Sequence, residues 1–272
     1  MDRRRLAREL TAIEDGAMDP ITGEGLVIAI TGPPGVGKSC LVDGLLHRLA
    51  PEHTVAVLAV DPTSPLSGGA LLGDRIRLSV LDDASKADSI YVRSIATRSS
   101  SGAVPSIIQG HTSHLLGNGF GLVIIETVGA GQAEMRCAAI ADRIIVVEGP
   151  ARGDGIQAEK AGLLELADLI IVNKSDLPGA DKVVNDLTMS LSLGNDAPEI
   201  IKVSALQGDG LDQLPAMIFA LESRVSSQRA RNRQRLLMSH EHSLTSNPNF
   251  EAVLDRMSQE GLTLAQALEE LS

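Results

Sequence analysis

The segment Gly32-Pro33-Pro34-Gly35-Val36-Gly37-Lys38-Ser39 has the residue types and spacing needed to hold a polyphosphate. It follows the pattern G-x-x-x-x-G-K-[ST], in which glycines let backbone N–H groups close around phosphate oxygens. A following helix would add the partial positive charge of its N-terminus. Lys38 is expected to reach the terminal phosphates and the Ser39 hydroxyl to bind Mg²⁺, with Cys40 next in the same binding set. The flanks agree: Leu26-Val27-Ile28-Ala29-Ile30 reads as a buried strand, and Leu41, Val42, Leu45, Leu46 and Leu49 recur at helical spacing.

A second constellation could read a base. Asn173-Lys174-Ser175-Asp176 fits N-K-x-D at the end of an apolar run, about 135 residues beyond Lys38. Guanine offers N1–H and an exocyclic amine, two donors that the Asp176 carboxylate can accept together. Adenine presents an acceptor at N1 and would leave that carboxylate unpaired. Asn173 would brace the loop, the Lys174 stem would cover the ring, and Ser204-Ala205-Leu206 after Val203 would complete the base pocket.

Glu126-Thr127-Val128-Gly129 stands where nucleotide hydrolases carry D-x-x-G after a central strand. Its carboxylate can hold Mg²⁺ through water, and the Gly129 N–H can sense the terminal phosphate. Gln132 lies three residues further on and is the candidate for positioning the attacking water. A water held so indirectly implies slow hydrolysis until a partner completes the site. Asp61 and Asp74 are the remaining candidate metal carboxylates, with an Asx turn and a helix cap as their structural alternatives.

These residues need a scaffold, and its elements are visible as apolar runs at 26–31, 55–60, 89–93, 121–126, 143–148, 169–173 and 199–204. Consecutive apolar residues such as Leu122-Val123-Ile124-Ile125 suit strands covered on both faces. Helical patterns at 131–141, 156–167 and 178–193 lie between them. The expected fold is α/β, a doubly wound, mostly parallel sheet with helical extensions at both ends and ligands at the carboxyl ends of the strands. Three parts are expected: an N-terminal helical arm over 1–25, a nucleotide-binding domain over 26–222, and a C-terminal helical arm over 223–272.

Composition narrows the function. The net charge of −11 argues against general nucleic-acid binding. Two distant cysteines, Cys40 and Cys137, fit a reducing compartment and exclude a disulfide framework. No run approaches the roughly 20 apolar residues of a membrane span, and the start lacks a secretion signal, so a cytoplasmic protein is expected. Arg224, Arg229, Arg231, Arg233 and Arg235 read as a solvated helix face, or as a helix packed on the acidic surface of a partner subunit. The pairs His111/His114 and His240/His242 read as surface residues.

Taken together, TGPPGVGKS (31–39), DPTSPLSGGALLGDRIRL (61–78), YVRSIATR (91–98), ETVGAGQAE (126–134), GDGIQAEKAGLLELAD (153–168) and NKSD (173–176) resemble the MeaB/ArgK family. These are SIMIBI-type GTPases that act as chaperones of adenosylcobalamin-dependent acyl-CoA mutases. The resemblance implies GTP and GDP as ligands and Mg²⁺ at Ser39, Asp61, Asp74 and Glu126. It also implies a mobile switch including Gly153, Asp154 and Gln157 that communicates with the mutase. A homodimer through the tail and possible traffic with an adenosyltransferase follow from it as well. Cys40 stands where the family has threonine, and the chain has no tryptophan in the tail. The competing readings are a nickel-delivery GTPase of the hydrogenase or urease maturation type, a protein or amino-acid kinase, and a nucleotide-sensing scaffold.

Overall fold

The computed structural model describes residues 2–62, 78–97, 103–127, 132–150, 158–192 and 196–271. Seven strands form one sheet: β1 (Leu26–Thr31), β2 (Val55–Pro62), β3 (Ile90–Thr97), β4 (Leu122–Thr127), β5 (Arg143–Glu148), β6 (Leu169–Val172) and β7 (Glu199–Lys202). Their order is β3-β2-β4-β1-β5-β6-β7, and every neighbouring pair is parallel. The doubly wound α/β fold expected from the apolar runs is the fold observed.

Alternation along the strands explains the runs. Val27, Ala29, Val123 and Ile125 join one core cluster, while Ile28, Ile30 and Ile124 join another on the opposite face. The first face is covered by α1 (Arg3–Glu14), α4 (Ala103–Gly117), α5 (Gln132–Ala138), α6 (Ala158–Leu166) and α7 (Ala180–Leu191), which contribute Leu6, Leu10, Ile108, Leu115, Ala138, Leu163 and Leu187. The second is covered by α2 (Lys38–Leu49) and α8 (Leu214–Ala220), through Leu41, Leu45, Leu214 and Ile218. Both faces are buried under helices, so β1, β4 and β5 are largely apolar on both sides until their last residues.

Some boundaries move. β3 extends to Thr97 because it pairs with β2 along its whole length, from Val55↔Ile90 to Pro62↔Thr97. β7 stops at Lys202, and Ser204 lies beyond it in an isolated bridge with Asp209.

The histidine expectation fails for one pair. His111 and His114 on α4 are fully buried, because α1 lies across them. His111 Nε2 donates to the Leu10 carbonyl at 2.9 Å, and His114 Nε2 meets the Glu9 carboxylate at 3.1 Å. Asp2 starts α1 as its N-cap, accepting the Arg4 and Arg5 N–H groups at 3.0 Å.

The arginine-rich segment also differs from expectation. It forms α9 (Val225–Thr245), but three of its arginines are spent inside this chain. Arg231 is buried with Nη1 donating to Asp168 at 2.6 Å. Arg235 donates to the Ala139, Ile140 and Ala141 carbonyls beyond α5, and Arg224 to the Ala167 carbonyl at 2.8 Å. Beyond α9 lie α10 (Phe250–Gln259) and α11 (Leu264–Leu271), packed on each other. Among the described residues a 3-10 turn (Ser79–Asp82) and a short α3 (Ala84–Ala87) complete the helices.

Candidate nucleotide site

β1 leads directly into the Gly32–Ser39 loop, and α2 leaves it. Gly32 has φ +143°, and a Cβ there would lie 2.1 Å from the Val147 carbonyl oxygen, so only glycine fits. Gly37 is the N-cap of α2 at φ +91°, where a Cβ would sit 2.6 Å from Asn173 Nδ2. No side chain among the described residues caps that helix start, so its positive end faces whatever the loop encloses.

Lys38 is buried, its ammonium donating to the Gly32 carbonyl at 2.7 Å and the Pro33 carbonyl at 2.9 Å. Ser39 donates its hydroxyl to Glu126 Oε1 at 2.7 Å, and Glu126 is buried near the end of β4. Two hard oxygen donors thus meet beside the loop, a set that suits Mg²⁺. Cys40 is exposed; partial burial and the nearby Asp43 carboxylate raise its thiol pKa, keeping it protonated.

The loops expected to read a base converge on the same place. Asn173 Nδ2 donates to the Val36 carbonyl at 2.8 Å, while its Oδ1 accepts the Ala205 N–H at 3.0 Å. One amide therefore ties the phosphate loop to the segment after β7. Lys174 adopts φ +59° and its ammonium reaches the Gly35 carbonyl at 2.7 Å, laying its stem across the loop. Asp176 is exposed, with Oδ1 accepting the Ser204 hydroxyl at 2.5 Å. Leu206, two residues beyond Ser204, is 79% exposed.

Other candidates are placed by backbone alone or not at all. Asp61 lies in β2, two residues beyond Ala59, which is in register with Glu126, so both sit at one end of the sheet. Gln132 begins α5. Asp74, Gly129, Gly153, Asp154 and Gln157 lie outside the described residues. Thr31 and Thr127, both fully buried, share a hydroxyl–hydroxyl bond of 2.7 Å beside the loop. Thr31 immediately precedes the phosphate loop and Thr127 is an unspecified position of Glu126-Thr127-Val128-Gly129, so each stood beside a motif with nothing local to mark the two as partners.

The family model described as methylmalonyl-CoA mutase-associated GTPase MeaB matches residues 3–260. The chain belongs to this family. A putative GTPase of Pyrococcus abyssi is 37% identical over 230 residues, covering 78% of this chain and 70% of that protein. The fused isobutyryl-CoA mutase of Paraburkholderia xenovorans is 35% identical over 198 residues, covering 68% of this chain but 16% of that protein. In that relative a MeaB-like segment is a small part of a much longer protein. Among solved structures, a LAO/AO transport system kinase aligns over 99% of this chain and 92% of its own, with a TM-score of 0.61 and 24% identity. That likeness speaks for the fold alone. As a MeaB-family protein the chain is a P-loop GTPase that binds guanine nucleotides.

Proposed function

We propose that this MeaB-family protein is a GTP-hydrolysing chaperone of a cobalamin-dependent acyl-CoA mutase, gating adenosylcobalamin loading and protecting or reactivating the enzyme in the cytoplasm. What carries the nucleotide half of this reading is the Asn173 side chain, bonded at once to the phosphate loop and to the loop after Ser204. A binder of phosphate alone has no need of that brace; a pocket that must hold base and phosphate in one register does. The partner half is supported by family membership and by the fused mutase among the relatives.

In this reading the Gly32–Cys40 loop wraps the phosphates and Lys38 turns from its carbonyls to the triphosphate. Asn173, Lys174 and Asp176 hold guanine, with Ser204 orienting Asp176 and Ala205 and Leu206 bordering the ring. Ser39, Asp61, Asp74 and Glu126 hold Mg²⁺, which when bound neutralises charge developing on the phosphates. Gly129 senses the terminal phosphate, and Gln132 orients the attacking water. Gly153, Asp154 and Gln157 report nucleotide state to the mutase. Helical segments 1–25 and 223–272 flank the GTPase core of 26–222, the latter pairing two copies; an adenosyltransferase is a further partner.

Hydrolysis is then slow alone and stimulated by the mutase. Single-turnover assays with Mg²⁺ should show the rate rising roughly tenfold or more when a cobalamin-dependent acyl-CoA mutase is added. Asp154→Ala should bind GTP normally yet lose the stimulation. An unchanged rate with every such mutase offered contradicts the partner assignment.

A further inference from the structure

We propose that Thr127 is a positioning residue of the GTPase reaction, acting through its hydroxyl bridge to Thr31. The proposal rests on the reading of Ser39 and Glu126 as the oxygen pair of the nucleotide site. β1 and β4 are parallel neighbours with Ile30 in register with Glu126, so Thr31 and Thr127 are the next step along the same ladder. Thr127 Oγ1 donates to Thr31 Oγ1 at 2.7 Å, and neither residue is exposed.

Alternation sets the two sides of β4 to different work. Glu126 follows Leu122 and Ile124 onto the face covered by α2, where Ser39 waits. Thr127 follows Val123 and Ile125 onto the opposite face, as Thr31 follows Val27 and Ala29. The bridge therefore fixes the strand end from behind while the carboxylate works in front. Thr31 is also the last residue before Gly32, whose backbone is already wedged against Val147. One hydroxyl pair thus sets the lateral distance between the phosphate loop and the carboxylate that holds Ser39.

The choice of residue points the same way. On β1 and β4 the rest of that face is Val27, Ala29, Val123 and Ile125, and valine would fill a threonine site with no buried hydroxyl to satisfy. Packing alone gives no reason for two hydroxyls at adjacent strand ends. Orientation does, since a donor and an acceptor lock relative height as well as spacing.

Full-length Thr127→Val, Thr127→Ser, Thr31→Val and Glu126→Gln decide it. The readouts are GTP affinity, the Mg²⁺ concentration that half-slows GTP release, and the hydrolysis rate at saturating GTP. Thr127→Val should keep its melting temperature and its Mg²⁺-free GTP affinity. It should need several-fold more Mg²⁺ and hydrolyse GTP roughly tenfold more slowly. Thr127→Ser should recover both to within about twofold, and Thr31→Val with Thr127→Val should be no worse than either alone. A Thr127→Val protein with normal Mg²⁺ response and rate, beside an impaired Glu126→Gln, overturns the bridge alone. A serine variant no better than valine does the same. A Glu126→Gln protein with unaltered Mg²⁺ response removes the underlying reading of the carboxylate, and the proposal falls with it.

Discussion

Asp176 accepts a hydroxyl bond from Ser204 through one oxygen, which orients a carboxylate that would otherwise swing freely on an exposed loop. In the proposed function guanine is read by that orientation, because N1–H and the exocyclic amine need two acceptors side by side. Asp176→Asn replaces one acceptor by a donor, matching the carbonyl that xanthine carries in place of the amine. The ratio of XTP to GTP affinity should rise at least about tenfold, measured by competition binding. An unchanged ratio would take the base away from Asp176. At this scale the motif residues were legible in the sequence, since Lys38, Ser39, Asn173 and Asp176 are local patterns with known spacing. The Thr31–Thr127 bridge was not, because a threonine closing a strand looks like any β-branched residue until its partner, 96 positions away, is in place.

Strands and most helices follow from local periodicity, and the seven apolar runs became seven strands. What local pattern could not give was long-range pairing. Arg231 sits in a helix whose arginines have no acid nearby, and such a pattern reads as solvated; its partner Asp168 lies 63 residues earlier. Asp168 also accepts the Ile144 N–H at 2.9 Å, the Arg224 N–H at 3.1 Å and the Ser227 hydroxyl, so this one carboxylate ties α9 to β5 and the end of α6. Arg231→Ala leaves it short of its cation in a buried site and should cost about 3 kcal/mol in urea unfolding. A loss no larger than that of an exposed arginine would contradict this. The clasp of α1 on α4 was equally hidden, its contacts spanning about a hundred residues. Burial lowers the His111 pKa, and although the Leu10 carbonyl raises it, His111 Nδ1 has no partner among the described residues to accept a second proton's bond. Arg93 and His114 lower it further, and Glu14 opposes them. The folded chain thus binds this proton less readily than the unfolded chain. The associated stability is present above the ordinary histidine value of about 6.5 and is lost as pH falls below it. The melting temperature should drop more steeply below about pH 6.5 in the native chain than in His111→Gln, which keeps a donor for Leu10 and leaves the Glu9–His114 pair beside it intact. Equal slopes would remove His111 from the account.

At the scale of the molecule, a buried parallel sheet carries every described site residue at or beyond the carboxyl ends of β1, β2, β4 and β6, or after β7, the position this architecture offers to ligands. The net charge of −11 leaves the phosphate loop as a local positive spot made from backbone, the α2 end and two lysines, set against an acidic whole. Such a surface favours a small anion held in a specific cradle over a long polyanion. The sequence conveyed this organisation well because buried parallel strands announce themselves. It conveyed the tail less well, because side chains that stitch α9 to the body are chosen by distant partners. The proposed function needs one pocket that joins phosphate to guanine. Calorimetric titration of the purified chain with GTP and with ATP, both with Mg²⁺, tests it most directly. GTP should bind at one site per chain and ATP at least about 100-fold more weakly; equal affinities, or no heat from GTP, would contradict it.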